Sequence, residues 1–382
     1  MFGMFVGRPD MTLQSRMALA RGYTRGFDYI RVVLALGVVV WHTVVTCYGD
    51  DYQVAVWKGW ARPPVAMILP MFFALSGFLV AGSLERCKTL AGFLSLRALR
   101  LIPALAAEVL LSALIVGPLI TDLPLSLYFG SPEFPRYFLN ILGDIQYRLP
   151  GVFSSNPLPF IVNGQLWTIP YELKCYLLIS LYALAGIHRS KWLFAIVVVV
   201  MQVAFGLQAL LTGGSADAAN TVPGGTLVLC FLSGIAFYLH RERVIHSHTL
   251  GVASLAVTVI LLLLPGGDSF VAFTATYFTV YLGLFNPSRL AFMKTGDYSY
   301  GIFLYGFPVQ QAIAHLGAWT HHWAVSLALS IPVVACVAAF SWHGIEKHAL
   351  KLRRYLYILE ESAISNAFTR FSRFKSTPIQ GK

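Results

Sequence analysis

Apolar runs long enough to cross a bilayer recur from end to end of the 382-residue chain, and this recurrence constrains the fold more than any motif. About twenty apolar residues in a helix match the hydrocarbon thickness, where every backbone N–H and C=O must be satisfied within the protein. Ten runs are read, centred on residues 30–47, 65–82, 101–120, 166–187, 192–211, 222–240, 249–265, 270–285, 299–317 and 323–344. Composition agrees, with 57% hydrophobic residues against 12% charged, far from the balance of a soluble domain. The expected fold class is all-α, a polytopic membrane helical bundle of about ten transmembrane helices. A cytoplasmic segment 1–25, basic and loosely ordered, should precede the transmembrane domain 26–350, with a basic amphipathic cytoplasmic tail at 351–382.

The charges orient this arrangement. With the N-terminus inside, only Lys58, Arg62, Arg136 and Arg148 of the 28 Lys and Arg fall on the outer face, and Lys174 falls within a span. All the others face the cytoplasm, the bias that sets orientation in a cytoplasmic membrane. A multi-pass inner-membrane protein with both termini cytoplasmic is therefore expected, in contact with the lipid bilayer. The net charge of +11 follows from topology, so no nucleic-acid partner is invoked. No cleavable signal peptide is read, because the first apolar run is long enough to remain as a span. Cys47, Cys87, Cys175, Cys230 and Cys336 are scattered without CxxC spacing, which suggests neither a metal site nor a disulfide framework.

Most connections are short. The exception is 121–165 on the outer face, rich in Pro, Gly and aromatics, with short interfacial helices expected around Phe138–Leu142. It reads either as a solvated connector or as a lid or acceptor platform. The "GDS" at Gly267–Ser269 reads as a helix N-cap in a short outer turn.

Ionisable residues inside spans are costly and therefore draw notice. In "RVVLALGVVVWH", Arg31 and His42 stand eleven residues apart, which returns them to nearly one helical face about 16 Å apart along the axis. Asp28 and Arg31, three apart, can pair. Arg31 is either a cytoplasmic anchor or part of a site, and His42 either a hydrogen-bonded packing residue or a base. In "SLRALRLIP", Arg97 and Arg100 share a face at the entry to the third span, as inner-face charge or as a phosphate clamp. In "NGQLWTIPYELKCYLL", Glu172 lies beside Trp167 and Tyr171 near Pro170, a poor surface for lipid. A Glu172–Lys174 ion pair is the structural alternative, though residues two apart do not face each other on a helix.

Taken together, "RGFDYIRVVLALGVVVWH", "MFFALSGFLV", "SLRALRLIPAL", "GQLWTIPYELKCYLL" and "DYSYGIFLYGFPVQQ", in that order, resemble the successive boxes of the acyltransferase-3 family, integral membrane carbohydrate O-acyltransferases. The resemblance runs from about Thr24 to Arg354. It implies a bundle of ten or more helices that takes an acyl group from cytoplasmic acyl-CoA and passes it to a sugar hydroxyl. The family's R-x10-H pattern falls on Arg31 and His42, its RxxR pattern on Arg97 and Arg100, and its W-x4-E box on Trp167 and Glu172. Ser76 and Tyr300 fall in the second and fifth boxes and, with Asp28, Trp167 and Tyr171, are the expected supporting residues. Two positions depart from the family: Gly306 stands where a His is frequent, and Glu346, Lys347 and His348 replace a frequent ending in Pro.

These readings combine into an expected mechanism. Arg31, Arg97 and Arg100 hold the phosphates of CoA at the cytoplasmic mouth, and the pantetheine arm runs up the bundle towards His42. The imidazole then acts as base on the acceptor hydroxyl or carries the acyl group itself, with Glu172 orienting it or relaying a proton. Acetyl-CoA is the expected donor substrate, with no permanently bound cofactor, and an exported glycan such as an exopolysaccharide is the expected acceptor. The rival class is a transporter or flippase of a glycan or small molecule, which also keeps polar residues in broken spans. Paired interrupted helices in matching halves, its signature, are not seen.

Overall fold

The computed structural model describes residues 11–20, 22, 24–186, 190–212, 221–356 and 358. The expectations for residues 1–10, and for most of the basic tail, lie outside the described residues. Short helix α1 (Leu13–Leu19) precedes the long α2 (Gly26–Lys58), then α3 (Arg62–Ala66) and α4 (Ile68–Arg86). Next comes α5 (Leu90–Leu111), which continues through a widened turn at Ser112–Val116 into α6 (Gly117–Ile120). The outer connection carries α7 (Leu125–Gly130) and α8 (Glu133–Tyr137). The second half holds α9 (Ile169–Leu184), α10 (Lys191–Leu211), α11 (Gly224–Leu239) and α12 (His248–Leu263). It ends with α13 (Ala272–Gly283), α14 (Ser299–Ala314), α15 (Trp323–Ser341) and α16 (Lys347–Lys351).

The all-α architecture is as expected. Five helical stretches, 26–58, 62–86, 90–120, 191–211 and 323–356, are long and apolar enough to cross a membrane. The other expected spans fall on helices of 12 to 16 residues, such as α13 and α14. Of these, α11, α13 and α14 lie largely buried among protein, whereas α9 and α12 expose apolar faces that include Leu177, Val252 and Ile260. Residues Leu229–Ala236 of α11 are all buried, and the helix meets α4 at glycines. A Cβ on Gly77 would come within 1.9 Å of the Phe231 carbonyl, and one on Gly234 within 2.3 Å of the Ala74 carbonyl. Small residues thus bring these two backbones together, as in membrane helix pairs generally.

Local sequence explains several ends. Thr89 Oγ1 accepts from Gly92 N at 3.0 Å to cap α5, and Ser190 Oγ accepts from Leu193 N at 3.3 Å to cap α10. Helix α2 kinks at Gly49, whose φ of +76° favours glycine and where a Cβ would lie 2.9 Å from the Pro157 carbonyl. Beyond the kink, Asp50–Lys58 completes α2, and Trp57 is buried.

Three local expectations are corrected. Residues 11–20 are not loose: Met11–Thr12 pairs antiparallel with Ile245–His246, Leu13 is buried, and Leu13 N donates to Val244 O at 2.9 Å. The 121–165 connection is not a solvated connector, and its Tyr147, Leu158 and Gln165 line a cavity shared with His42. Tyr128, Tyr137, Val152, Phe153 and Val162 are fully buried, and Tyr128 Oη donates to the Ala113 carbonyl in the widened turn at 2.7 Å. The helical turn expected at Phe138–Leu142 is present. Gly267–Ser269 is not an N-cap: it sits in a tight 3-10 turn in which buried Asp268 pairs with buried Arg62 and accepts from Thr226 Oγ1 on its carbonyl at 3.0 Å. Two buried opposite charges outweigh the capping role of an exposed turn.

Candidate active site

Three cavities lie in series, called inner, middle and outer after the expected orientation. The inner one, about 570 Å³, is lined by Asp28, Arg31, Ser83, Arg97, Arg289 and Asp297 among others. The middle one, about 160 Å³, is lined by Arg31, Ser76, Arg97, Arg100, Glu172, Tyr176 and Tyr300 between Phe72, Phe73, Phe231 and Phe303. The outer one, about 450 Å³, is lined by Trp41, His42, Asp50, Trp57, Tyr147, Gln165, Trp167, Thr168 and Phe307 among others. Inner and middle cavities share Arg31 and Arg97, and middle and outer share Leu69, Thr168 and Phe303. The two ends of the Arg31–His42 segment of α2 thus open on opposite ends of this series.

The inner end is organised by a residue the sequence reading did not single out. Asp297 accepts from Arg100 Nη2 at 2.5 Å and from Arg31 Nη1 at 3.4 Å, with Ser299 Oγ donating to its other oxygen at 2.6 Å. Burial alone would push this carboxyl up, but the Arg100 and Arg31 guanidiniums hold it well below the usual carboxylate range. The expected Asp28–Arg31 pair is not formed: Arg31 faces Asp297, and Asp28 pairs with Arg289 at 3.6 Å. Arg97 donates to Ser83 Oγ at 3.1 Å and stacks over Phe93 at 5.9 Å. Arg31 and Arg97 therefore face the inner cavity, and Arg100 sits one cavity deeper.

In the middle cavity Glu172 accepts a hydrogen bond from Tyr176 Oη, one helical turn along α9. Lys174 does not pair with it and instead lies over the Tyr171 ring at 4.7 Å. Glu172 and His42 line different cavities, and no hydrogen bond joins them. Ser76 and Tyr300 both line this middle cavity, and Tyr300 Oη donates to Leu101 O at 3.1 Å. Tyr171 packs edge-on against Trp167, with ring centroids 5.8 Å apart, and fills the space beside Gly224.

At the outer end, the His42 ring packs edge-on against Phe307, with centroids 5.0 Å apart. Its nitrogens hydrogen-bond to no described residue, so the imidazole is available to whatever enters the cavity. Its backbone is fixed from α14: Gln310 Nε2 donates to Val39 O at 2.6 Å and to Thr43 Oγ1 at 2.5 Å. Gly306, where the family often has His, has its Cβ direction only 3.0 Å from Val39, so α14 packs closely on α2 there. Pro308 lacks an N–H and leaves the Leu304 carbonyl without its helical donor. Gln165 Nε2 takes that carbonyl and the Phe303 carbonyl, both at 2.8 Å, which fixes the amide at the cavity wall.

Arg31 and the unbonded His42 on α2, with Arg97 and Arg100 brought to them on α5, match the ordered boxes of the sequence, and comparison decides the family. The family model for this acyltransferase domain matches residues 24–342, a stretch that contains all three cavities' charged residues. The chain belongs to the acyltransferase-3 family. It is similar to an O-acetyl transferase of Shigella phage Sf6, 25% identical over 336 residues covering 85% of this chain and 95% of the phage protein. It is likewise similar to Nodulation protein 10 of Rhizobium leguminosarum bv. viciae, 27% identical over 364 residues covering 88% of this chain and 95% of that protein. No solved structure matches it.

Proposed function

We propose that this acyltransferase-3 protein is a membrane O-acetyltransferase that moves an acetyl group from cytoplasmic acetyl-CoA to a hydroxyl of a surface or exported glycan. The observation that carries the reading is the cavity series, which leads from Arg31 and Arg97 past Ser76 and Glu172 to His42. Arg31 and Arg97 bind the donor's phosphates, since guanidinium forks match phosphate oxygens. The pantetheine arm occupies the small middle cavity, whose walls include Phe72, Phe73, Phe231 and Phe303. Arg100, neutralised by Asp297, and Glu172, bonded by Tyr176, shape that passage and are positioning residues.

At the outer end His42 Nε2 or Nδ1 takes the proton of the acceptor hydroxyl. The oxygen attacks the thioester carbonyl, the C–S bond breaks, and the proton returns to the CoA thiolate, giving the O-acetyl ester and free CoA. The proposed setting is the inner membrane, with ten spans and both termini cytoplasmic. The printed name of the phage relative, an O-acetyl transferase, supports acetyl as the group moved. The test is glycan mass spectrometry on a deletion strain complemented with wild type or His42→Ala. Wild type should restore a glycan heavier by one acetyl, and His42→Ala, present in the membrane at wild-type amount, should lower it by a thousandfold or more. Restoration by His42→Ala would overturn the reading.

A further inference from the structure

The outer cavity holds polar atoms that the transfer step leaves unused. Trp57 is 4% exposed and its Nε1 donates to no described group, and Gln165 is 2% exposed and its Oε1 accepts from none. Both residues line the same cavity as His42. The Gln165 oxygen cannot be exchanged for the nitrogen by a flip, because Nε2 is held by two carbonyls. One unspent donor and one unspent acceptor thus belong to buried residues of this cavity's wall, which also holds Trp41 and Trp167. A hydroxyl both donates and accepts, and the C–H faces of a sugar ring lie against aromatic planes, so the lining is complementary to a ring bearing several hydroxyls.

The charges of this cavity are equally informative. Asp50 is exposed at its rim, with no ion pair among the described residues, and no Lys or Arg lines it. Arg62 pairs with Asp268 and stacks over the Trp57 ring at 5.3 Å, Arg148 lies over the Phe160 ring at 5.9 Å, and Lys58 lines an adjoining recess with Trp57, Trp60 and Pro265. A carboxylate or phosphate brought to His42 would lose hydration, meet Asp50, and gain no counter-charge. We propose that the outer cavity is selective for an uncharged sugar ring and discriminates against anionic rings such as uronates. The claim about which acceptor is acylated rests on the acetyltransferase reading, whereas the claim about binding does not.

The experiment uses the full chain in nanodiscs, with tryptophan fluorescence titrated by a neutral tri-glucoside or by the matching tri-glucuronide. The neutral sugar should quench the fluorescence, and the uronate should bind at least tenfold more weakly. Asp50→Lys should narrow or invert that gap, and Gln165→Leu should weaken the neutral sugar several-fold. Equal or tighter binding of the uronate, or no quenching by either sugar, overturns the proposal. Acetyl transfer from acetyl-CoA is followed in the same samples. Discrimination in binding without any transfer supports this proposal and overturns the acetyltransferase reading, whereas equal transfer to the uronate overturns this proposal alone.

Discussion

Arg31 and Arg100, far apart in the chain, meet on the single carboxylate of Asp297. With the side chains 27–29% exposed, this group is neither a surface pair nor a fully buried one. Replacing Asp297 by Asn leaves two guanidiniums facing each other without a counter-ion and should cost about 1–3 kcal/mol of stability. Because the folded state holds this carboxyl below its ordinary range, the stability it contributes is present above the unfolded pKa and lost as pH falls through the folded one. Thermal melts should therefore show wild type losing its advantage over Asp297→Asn only in acid, below the ordinary carboxylate range. A constant gap down to strongly acidic pH would contradict the assignment. Arg31 and His42 were legible in the sequence because polar groups in hydrocarbon stand out. Asp297 was not, since an acid just before a helix is ordinary. The local rule that paired Asp28 with Arg31 failed because Arg289 and Asp297, both from late in the chain, offered each of them a partner.

At the scale of elements, the apolar runs foretold the helices but not how deeply α11 and α13 are buried. Hydropathy is the same for a helix in lipid and a helix among helices, and only packing separates them. The glycines at 77 and 234 carry the decisive contact, and their spacing alone does not say which helix approaches. The docking of residues 11–19 was hidden for another reason. It depends on His246, whose Nδ1 accepts from Arg16 Nε at 3.3 Å while its Nε2 donates to Tyr281 O at 3.0 Å. Burial lowers the pKa of this imidazole, with Tyr281, Arg16 and His248 around it. Protonation would place a hydrogen on Nδ1 against the Arg16 donor. The neutral form thus stabilises the docked segment above the ordinary imidazole pKa, and that contribution is lost as pH falls through the lowered one. Protection of residues 11–19 against hydrogen exchange, taken relative to the intrinsic rate at each pH, should be high at pH 7.5 and fall as pH drops below the ordinary imidazole range. His246→Ala should show low protection at both. Protection in wild type that stays the same across this pH range would contradict this.

For the whole molecule, the sequence showed that an arginine and a histidine share one helix face at different depths, but not the space between them. That space is made by aromatic side chains from α4, α11 and α14, which meet only in the folded bundle. The smallest of its three cavities is the middle one, about 160 Å³, to which Ser76 contributes from α4. Ser76→Phe fills it without removing an arginine or the imidazole. Single-turnover acetyl transfer, measured beside acetyl-CoA binding on the same purified full-length variant, tests the continuity of the path most directly. The account predicts transfer reduced at least a hundredfold, with donor binding weakened far less because Arg31 and Arg97 still hold the phosphates. Transfer at the wild-type rate with the middle cavity filled would show that the acyl group does not travel between these arginines and His42.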